Sequence, residues 1–160
     1  MGNAGSGKSY LASAIAAAWR LPVINLDSIF WMPGGYIEKR PSDDAHGEVL
    51  RRQAGEQWIF EGVYGELIAL LIDRTEYLIW LDVNWTTCQQ SLVARRLLTP
   101  ERERQKTESS FNALLEYAAA YWSREGPCSQ VGHRAIFDQF PRTKQRLQSR
   151  KETADFLRTI

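Results

Sequence analysis

Gly2-Asn3-Ala4-Gly5-Ser6-Gly7-Lys8-Ser9 decides the reading of this chain, because it fits the phosphate-cradling pattern G-x-x-x-x-G-K-S/T. Each specified position has a chemical reason. Glycines reach φ > 0, so successive backbone N–H groups can turn inward as a nest for phosphate oxygens. A helix starting directly after the loop aims its N-terminal dipole and free N–H groups at the same charge. Lys8 is placed to reach the β- and γ-phosphates of a nucleotide, and the Ser9 hydroxyl to ligate Mg2+. Four specified positions coincide by accident in fewer than about 1 in 100 chains of this length. Gly2, Gly5, Ser6, Gly7, Lys8 and Ser9 are therefore expected to hold ATP and Mg2+.

Outward from the loop, strand and helix patterns alternate. An Ala-rich helix is predicted over Lys8–Trp19, with Leu11, Ile15 and Trp19 on one face. Val23–Leu26 is a short apolar run ending at Asp27, which suits a strand of a parallel sheet covered on both faces. Pro33-Gly34-Gly35 and Pro41 punctuate a loop, and a helix over about Asp43–Gln53 follows. Trp58–Phe60 reads as a strand ending at Glu61-Gly62, Leu67–Ile72 as a short helix, and Tyr77–Leu81 as a strand ending at Asp82. Thr87–Leu98 is predicted helical, then the charged run Glu101–Lys106, then an amphipathic helix with Phe111, Leu114, Leu115, Ala118 and Trp122 in its apolar stripe. Gly126-Pro127 ends it. Arg142–Gln148 reads as a polar edge strand, and Ser149 with Glu152 forms a capping box for a last helix to about Arg158. Alternation of this kind argues for a parallel α/β sheet with right-handed crossovers.

The composition narrows the partners. With 160 residues the chain has the length of one domain, so 1–160 is read as a single unit. Net charge is +1, from 20 Lys+Arg against 19 Asp+Glu, so bulk electrostatics supports neither a membrane nor a nucleic-acid partner. No stretch approaches the ~20 apolar residues of a membrane span, and Cys88 and Cys128 show neither metal-ligand spacing nor a disulfide framework. A cytoplasmic monomer is expected. A phosphate loop of this pattern joins a buried strand to its helix, yet only Met1 precedes Gly2. The expectation is therefore an upstream start and poor stability for the 160-residue form.

Beyond the loop, the order and spacing of several segments resemble the adenylate-kinase-like P-loop family, specifically the bacterial topology-modulation proteins. The matching segments are LDSIFW (26–31), EKRP (38–41), WIFEGVY (58–64), IWLDV (79–83), Arg95-Arg96 and RLQSRKETADFL (146–157). The resemblance implies a P-loop NTPase three-layer sandwich with a parallel sheet of order 2-3-1-4-5, strand 1 missing here. It also implies an acceptor-binding segment near 28–57 and a short lid near 95–107. Two positions depart from the family. Glu61-Gly62-Val63 stands where Asp-Gly-Asn is usual, and Tyr10 where Thr commonly follows the loop serine.

Phosphoryl transfer asks a protein for positioning and charge neutralisation, so Lys, Arg, Mg2+ and one or two carboxylates suffice. Carboxylates at the C-terminal ends of parallel strands border the nucleotide crevice, which selects Asp27, Glu61 and Asp82. In the implied strand order Glu61 is best placed to hold a Mg-bound water, and Asp27 to face the acceptor. Asp82 reads more readily as a strand-end carboxylate. Arg40 is the candidate clamp for an acceptor phosphate. Arg95 and Arg96, with Arg102 and Arg104, fall where a lid should close. The run 101–106 is equally a solvated charged segment. Adenine is placed near Ser149–Lys151, with Arg150 at the nucleotide. Trp31 and Tyr64 could stack on a base but suit core packing better, His46 and His133 read as surface residues, and Cys88 as a small buried side chain. The expected activity is ATP·Mg-dependent phosphorylation of a small phosphorylated acceptor, a nucleoside monophosphate such as AMP. A nucleotide-binding regulator with little turnover and a sugar-acid kinase are the other readings.

Overall fold

Alanines lose no side-chain entropy in a helix, and α1 (Lys8–Trp19) forms over the predicted span. It buries Leu11, Ala12 and Ile15 but leaves Trp19 48% exposed, so the expected apolar face stops one turn early. The computed structural model describes residues 1–33 and 36–160, without the side chains of Arg102 and Lys106. Gly34 and Gly35 of the expected Pro33-Gly34-Gly35 break, and Arg102 of the expected lid, thus lie outside the described residues and side chains.

The architecture is mixed α/β. Among the described residues two parallel strand pairs form: β1 (Val23–Asn25) with β2 (Ile59–Glu61), and β3 (Tyr77–Leu81) with β4 (Thr143–Leu147). The register runs Val23↔Ile59 to Asn25↔Glu61 in the first pair and Tyr77↔Thr143 to Leu81↔Leu147 in the second. The polar edge strand therefore exists, because a strand paired on one edge needs few apolar residues; Leu147 alone of β4 is buried. Met1 lies along the other edge of β3. Its amine donates to Ile79 O at 2.7 Å, its carbonyl accepts from Leu81 N at 2.9 Å, and Gly2 bridges Leu81 in parallel.

Helices cover these strands: α2 (Asp27–Phe30), α3 (Ser42–Arg52), α4 (Gly65–Ala69), α5 (Trp85–Leu97), α6 (Glu101–Lys106), α7 (Glu108–Ala119), α8 (Gln130–Gln139) and α9 (Arg150–Leu157). The sequence reading contains neither α2 nor α8. The charged run is helical as α6. Asn84 caps α5 by accepting from Thr87 N at 2.9 Å, and Ser149 caps α9 from Glu152 N at 3.1 Å. The apolar stripe of α7 is only partly core. Ala118 and Tyr121 are buried, while Trp122 is 37% exposed. Two buried clusters result. One gathers Leu26, Ile29, Val49, Leu67, Ile68 and Leu71, and the other Leu11, Ile15, Leu81 and Leu147. Among the described residues no helix is long and apolar enough to cross a membrane.

Candidate functional site

The loop ahead of α1 is held open by its glycines. At Gly5, with φ of 77°, a Cβ would stand 2.4 Å from the Cys88 carbonyl oxygen, so only glycine fits against α5. At Gly7, with φ of 98°, a Cβ would meet nothing within 4 Å, so the space in front of the helix is free. Asn3 pins the loop from below. Its Nδ2 donates to Ala118 O at 2.8 Å, its Oδ1 accepts from Ala4 N at 2.8 Å, and its carbonyl accepts from Ser6 N at 3.2 Å. Asn3 is 1% exposed. It occupies a free position of the motif, and sequence reasoning passed over it.

Three features of the loop fit an anion. The first turn of the 12-residue α1 carries no side-chain cap and no acidic residue, leaving its N–H groups to be satisfied from outside. Ser6 Oγ is buried with no hydrogen-bond partner among the described residues, which in a folded chain calls for an explanation. Lys8 places its ammonium against Asn3 O at 2.8 Å, inside the loop. Burial pulls the Lys8 pKa below the ordinary lysine value, with the charges of Glu61 and Asp27 working against that pull. Those two carboxylates therefore act on Lys8 from within electrostatic range.

Glu61 ends β2 and is 6% exposed. Ser9 Oγ donates to Glu61 Oε1 at 2.9 Å, so the expected metal-side serine and carboxylate meet across the gap between α1 and β2. Asp27 opens α2, directly after β1. Tyr64 OH donates to Asp27 Oδ1 at 2.5 Å, and Tyr36 OH to Asp27 Oδ2 at 3.2 Å. Trp31 Nε1 in turn donates to Tyr64 OH at 2.8 Å, and the Phe30 ring stacks on Tyr64 with centroids 4.0 Å apart. Trp31 and Tyr64 thus belong to a self-packed aromatic cluster that orients a carboxylate. Burial pushes the Tyr64 phenol well above its ordinary pKa, with the Asp27 hydrogen bond adding to the shift, so the phenol stays a donor.

The arginines divide. Arg40 donates Nε to Ile29 O at 2.7 Å, which ties it to the helix carrying Asp27. Arg95 is exposed on α5, has no hydrogen-bond partner among the described residues, and its charge is felt at Lys8 and Tyr36. Arg96 instead staples α5 to the chain after it. It donates to Thr107 Oγ1 at 2.6 Å and Glu108 Oε2 at 3.2 Å, and it stacks on Phe111. Arg104 reaches back to Leu97 O at 3.5 Å, and Arg150 donates to Ser91 Oγ at 2.9 Å. Asp82 is engaged by Arg146, whose guanidinium lies 4.8 Å from the Trp80 ring centroid. Among the described residues no group of three His, Cys, Asp or Glu could hold a metal by itself. The donor set Ser9 and Glu61 instead suits Mg2+ that keeps phosphate oxygens and water as its remaining ligands.

Cys88 is fully buried as expected, its thiol pushed up to about 11 by burial. The histidine reading is corrected: His46 is half-buried and His133 is 0% exposed. His133 Nε2 donates to Val63 O at 2.9 Å, which leaves Nδ1 to accept from Tyr121 OH at 2.6 Å. Tyr121 OH accepts from Trp80 Nε1 at 3.3 Å. This buried chain grips the segment between Glu61 and Tyr64. Val63, the position that departs from the resembled family, offers its carbonyl to His133 and is 8% exposed, while Tyr10, the other departure, is 69% exposed. No family model and no curated protein matches the chain.

Proposed function

We propose that this chain is an ATP·Mg-dependent phosphotransferase of the P-loop, adenylate-kinase-like kind, acting on a small phosphorylated acceptor such as a nucleoside monophosphate. The observation that carries the proposal is the convergence at one mouth of Lys8, the Ser9–Glu61 pair and Asp27 around an uncapped helix N-terminus. In this reading the loop amides and Lys8 bind the triphosphate, and Gly7 leaves the room it needs. Mg2+ would be held by Ser9 and, through water, by Glu61, supplying charge neutralisation at the transferring group. Asp27, oriented by Tyr64, receives the acceptor, with Arg40 tied by its Nε to Ile29 O of the short helix that Asp27 opens. Arg95, unlike Arg96, has a guanidinium at liberty among the described residues to approach the transferring oxygens. The two strand pairs are the outer parts of one parallel sheet in this reading, and the protein works in the cytoplasm as a monomer.

The test is titration calorimetry with ATP and Mg2+, paired with a coupled ADP-release assay over nucleoside monophosphates and hydroxylated sugar acids. Binding that Lys8→Ala removes, and turnover stimulated by one acceptor class, support the proposal. Absence of ATP heat overturns it, and ATP heat without acceptor-stimulated turnover leaves a nucleotide-binding regulator.

A further inference from the structure

Asp27 carries a tyrosine on each of its two carboxylate oxygens, and the two phenols are held very differently. Tyr64 is 5% exposed and donates to Oδ1 at 2.5 Å, the length of a strong charge-assisted hydrogen bond. Trp31 Nε1 and the stacked Phe30 ring fix it in place. Tyr36 is 70% exposed and donates to Oδ2 at 3.2 Å, longer than the ~2.8 Å usual for an O–H···O bond. Among the described residues its hydroxyl has no other partner, and its ring meets Trp31 edge-on with centroids 5.8 Å apart.

The chain brings Tyr36 back to Asp27 on a short antiparallel ribbon. Arg40 N donates to Phe30 O and Met32 N to Glu38 O, each at 2.9 Å, and Trp31 bridges Lys39. Lys39 secures the base by setting its ammonium 4.5 Å from the Phe30 ring centroid, and Arg40 by its bond to Ile29 O. Beyond that base nothing comparable anchors the phenol, since its neighbour Ile37 is 89% exposed. A fixed base therefore presents a loosely held hydroxyl to one oxygen of a firmly held carboxylate. The position also belongs to the site. Partial burial raises the Tyr36 pKa, and the charges of Asp27, Arg95 and Glu61 are all felt at its phenol.

We infer that the Tyr36 phenol fills, on Asp27 Oδ2, the place of an acceptor hydroxyl, and that an acceptor must bring a hydroxyl of its own to displace it. Tyr36 is then a specificity-determining residue, with Tyr64 holding one oxygen of Asp27 so that the other can read the substrate. This rests on the phosphotransferase reading and narrows its substrate class to phosphorylated acceptors with a free hydroxyl, as on a ribose. An acceptor without one leaves the phenol on Oδ2 and gains nothing from Asp27. A ligand whose site is free only part of the time binds more weakly by that fraction, so losing the phenol should tighten hydroxylated acceptors alone.

Tyr36→Phe tests this, because it removes the donor, keeps the ring and alters an exposed position. The probes are AMP and 2′,3′-dideoxy-AMP, followed by coupled ADP release and by calorimetry. In the variant the KM for AMP is expected to fall about two- to tenfold, the range spanned by one ordinary hydrogen bond. The KM for ATP and the Kd of dideoxy-AMP should stay unchanged. Tyr64→Phe should move the AMP KM upward, an opposition of sign that two merely structural tyrosines would not produce. With 3-fluorotyrosine in the protein, the Tyr36 resonance is assigned by its loss in Tyr36→Phe. Asp27→Asn should shift that resonance in the direction that saturating AMP shifts it in the wild type. Turnover with an AMP KM that rises or stands still in Tyr36→Phe overturns the inference and leaves the phosphotransferase reading in place. A Tyr36 resonance indifferent to Asp27→Asn overturns it without any ligand. A wild-type protein that neither binds nor phosphorylates AMP overturns it together with the nucleoside-monophosphate reading.

Discussion

Acid should loosen this protein through His133. The ring is fully buried, and burial lowers its pKa from 6.5 to about 3; the positive charges of the chain's amine, Lys8 and Arg124 add to the effect. A folded-state pKa below the unfolded one means the unfolded chain binds the proton first, so stability is lost as pH falls below the unfolded value. From 6.5 unfolded to about 3 folded, the loss is about 2 kcal/mol at pH 5, growing until the folded pKa is passed near pH 3. At about 2–4 °C per kcal/mol for a chain of this size, the melting midpoint falls by about 4–8 °C between pH 7.5 and pH 5 from this residue. His133→Gln tests it. The amide can still donate toward Val63 O, so the cost at pH 7.5 is about 1–3 kcal/mol. Its stability should then decline less steeply below pH 6.5 than that of the wild type. Urea unfolding of both proteins at pH 7.5, 6, 5 and 4.5 reads the difference directly. The Met1 amine, lowered by burial to about 5, titrates in the same direction but is present in both chains and cancels. Parallel pH curves for the two proteins would refute the reasoning.

Three further outcomes follow from the geometry. Tyr64→Phe removes the donor that orients Asp27 and strands Trp31 Nε1, so it should cost about 1–2 kcal/mol of stability and raise the acceptor KM more than the ATP KM; equal changes in both constants would count against the assignment of Asp27. Because burial lowers the Lys8 pKa, ATP affinity measured by calorimetry should fall as pH rises, with a midpoint below lysine's ordinary 10.5, and Glu61→Gln should move that midpoint lower still by removing a charge that supports the ammonium. Gly65→Ala would place a Cβ 2.0 Å from the Pro127 carbonyl oxygen, a backbone clash expected to destabilise by about 3 kcal/mol in thermal denaturation, whereas Gly55→Ala, with open space at its Cβ, should be nearly neutral.

What the sequence could disclose depended on where each constraint originates. The loop and α1 were readable because their chemistry is local. Gly5 and Gly7 require positive φ, Lys8 and Ser9 follow at fixed spacing, and the alanines behind them favour helix without outside help. The strand-end carboxylates were readable for a related reason, since a short apolar run announces its own end. His133 and Asn3 were not, because nothing around them in the sequence says they are buried; that is decided by Tyr121 and Val63 for one and by Ala118 for the other, each far along the chain. The same logic separates Arg95 from Arg96. As neighbours in sequence they look interchangeable, but a helix points adjacent residues about 100° apart. Arg96 consequently faces Thr107, Glu108 and Phe111, while Arg95 stays exposed where its charge reaches Lys8. A pair that sequence offers as two lid arginines is therefore one staple and one candidate for the reaction, and only packing distinguishes them.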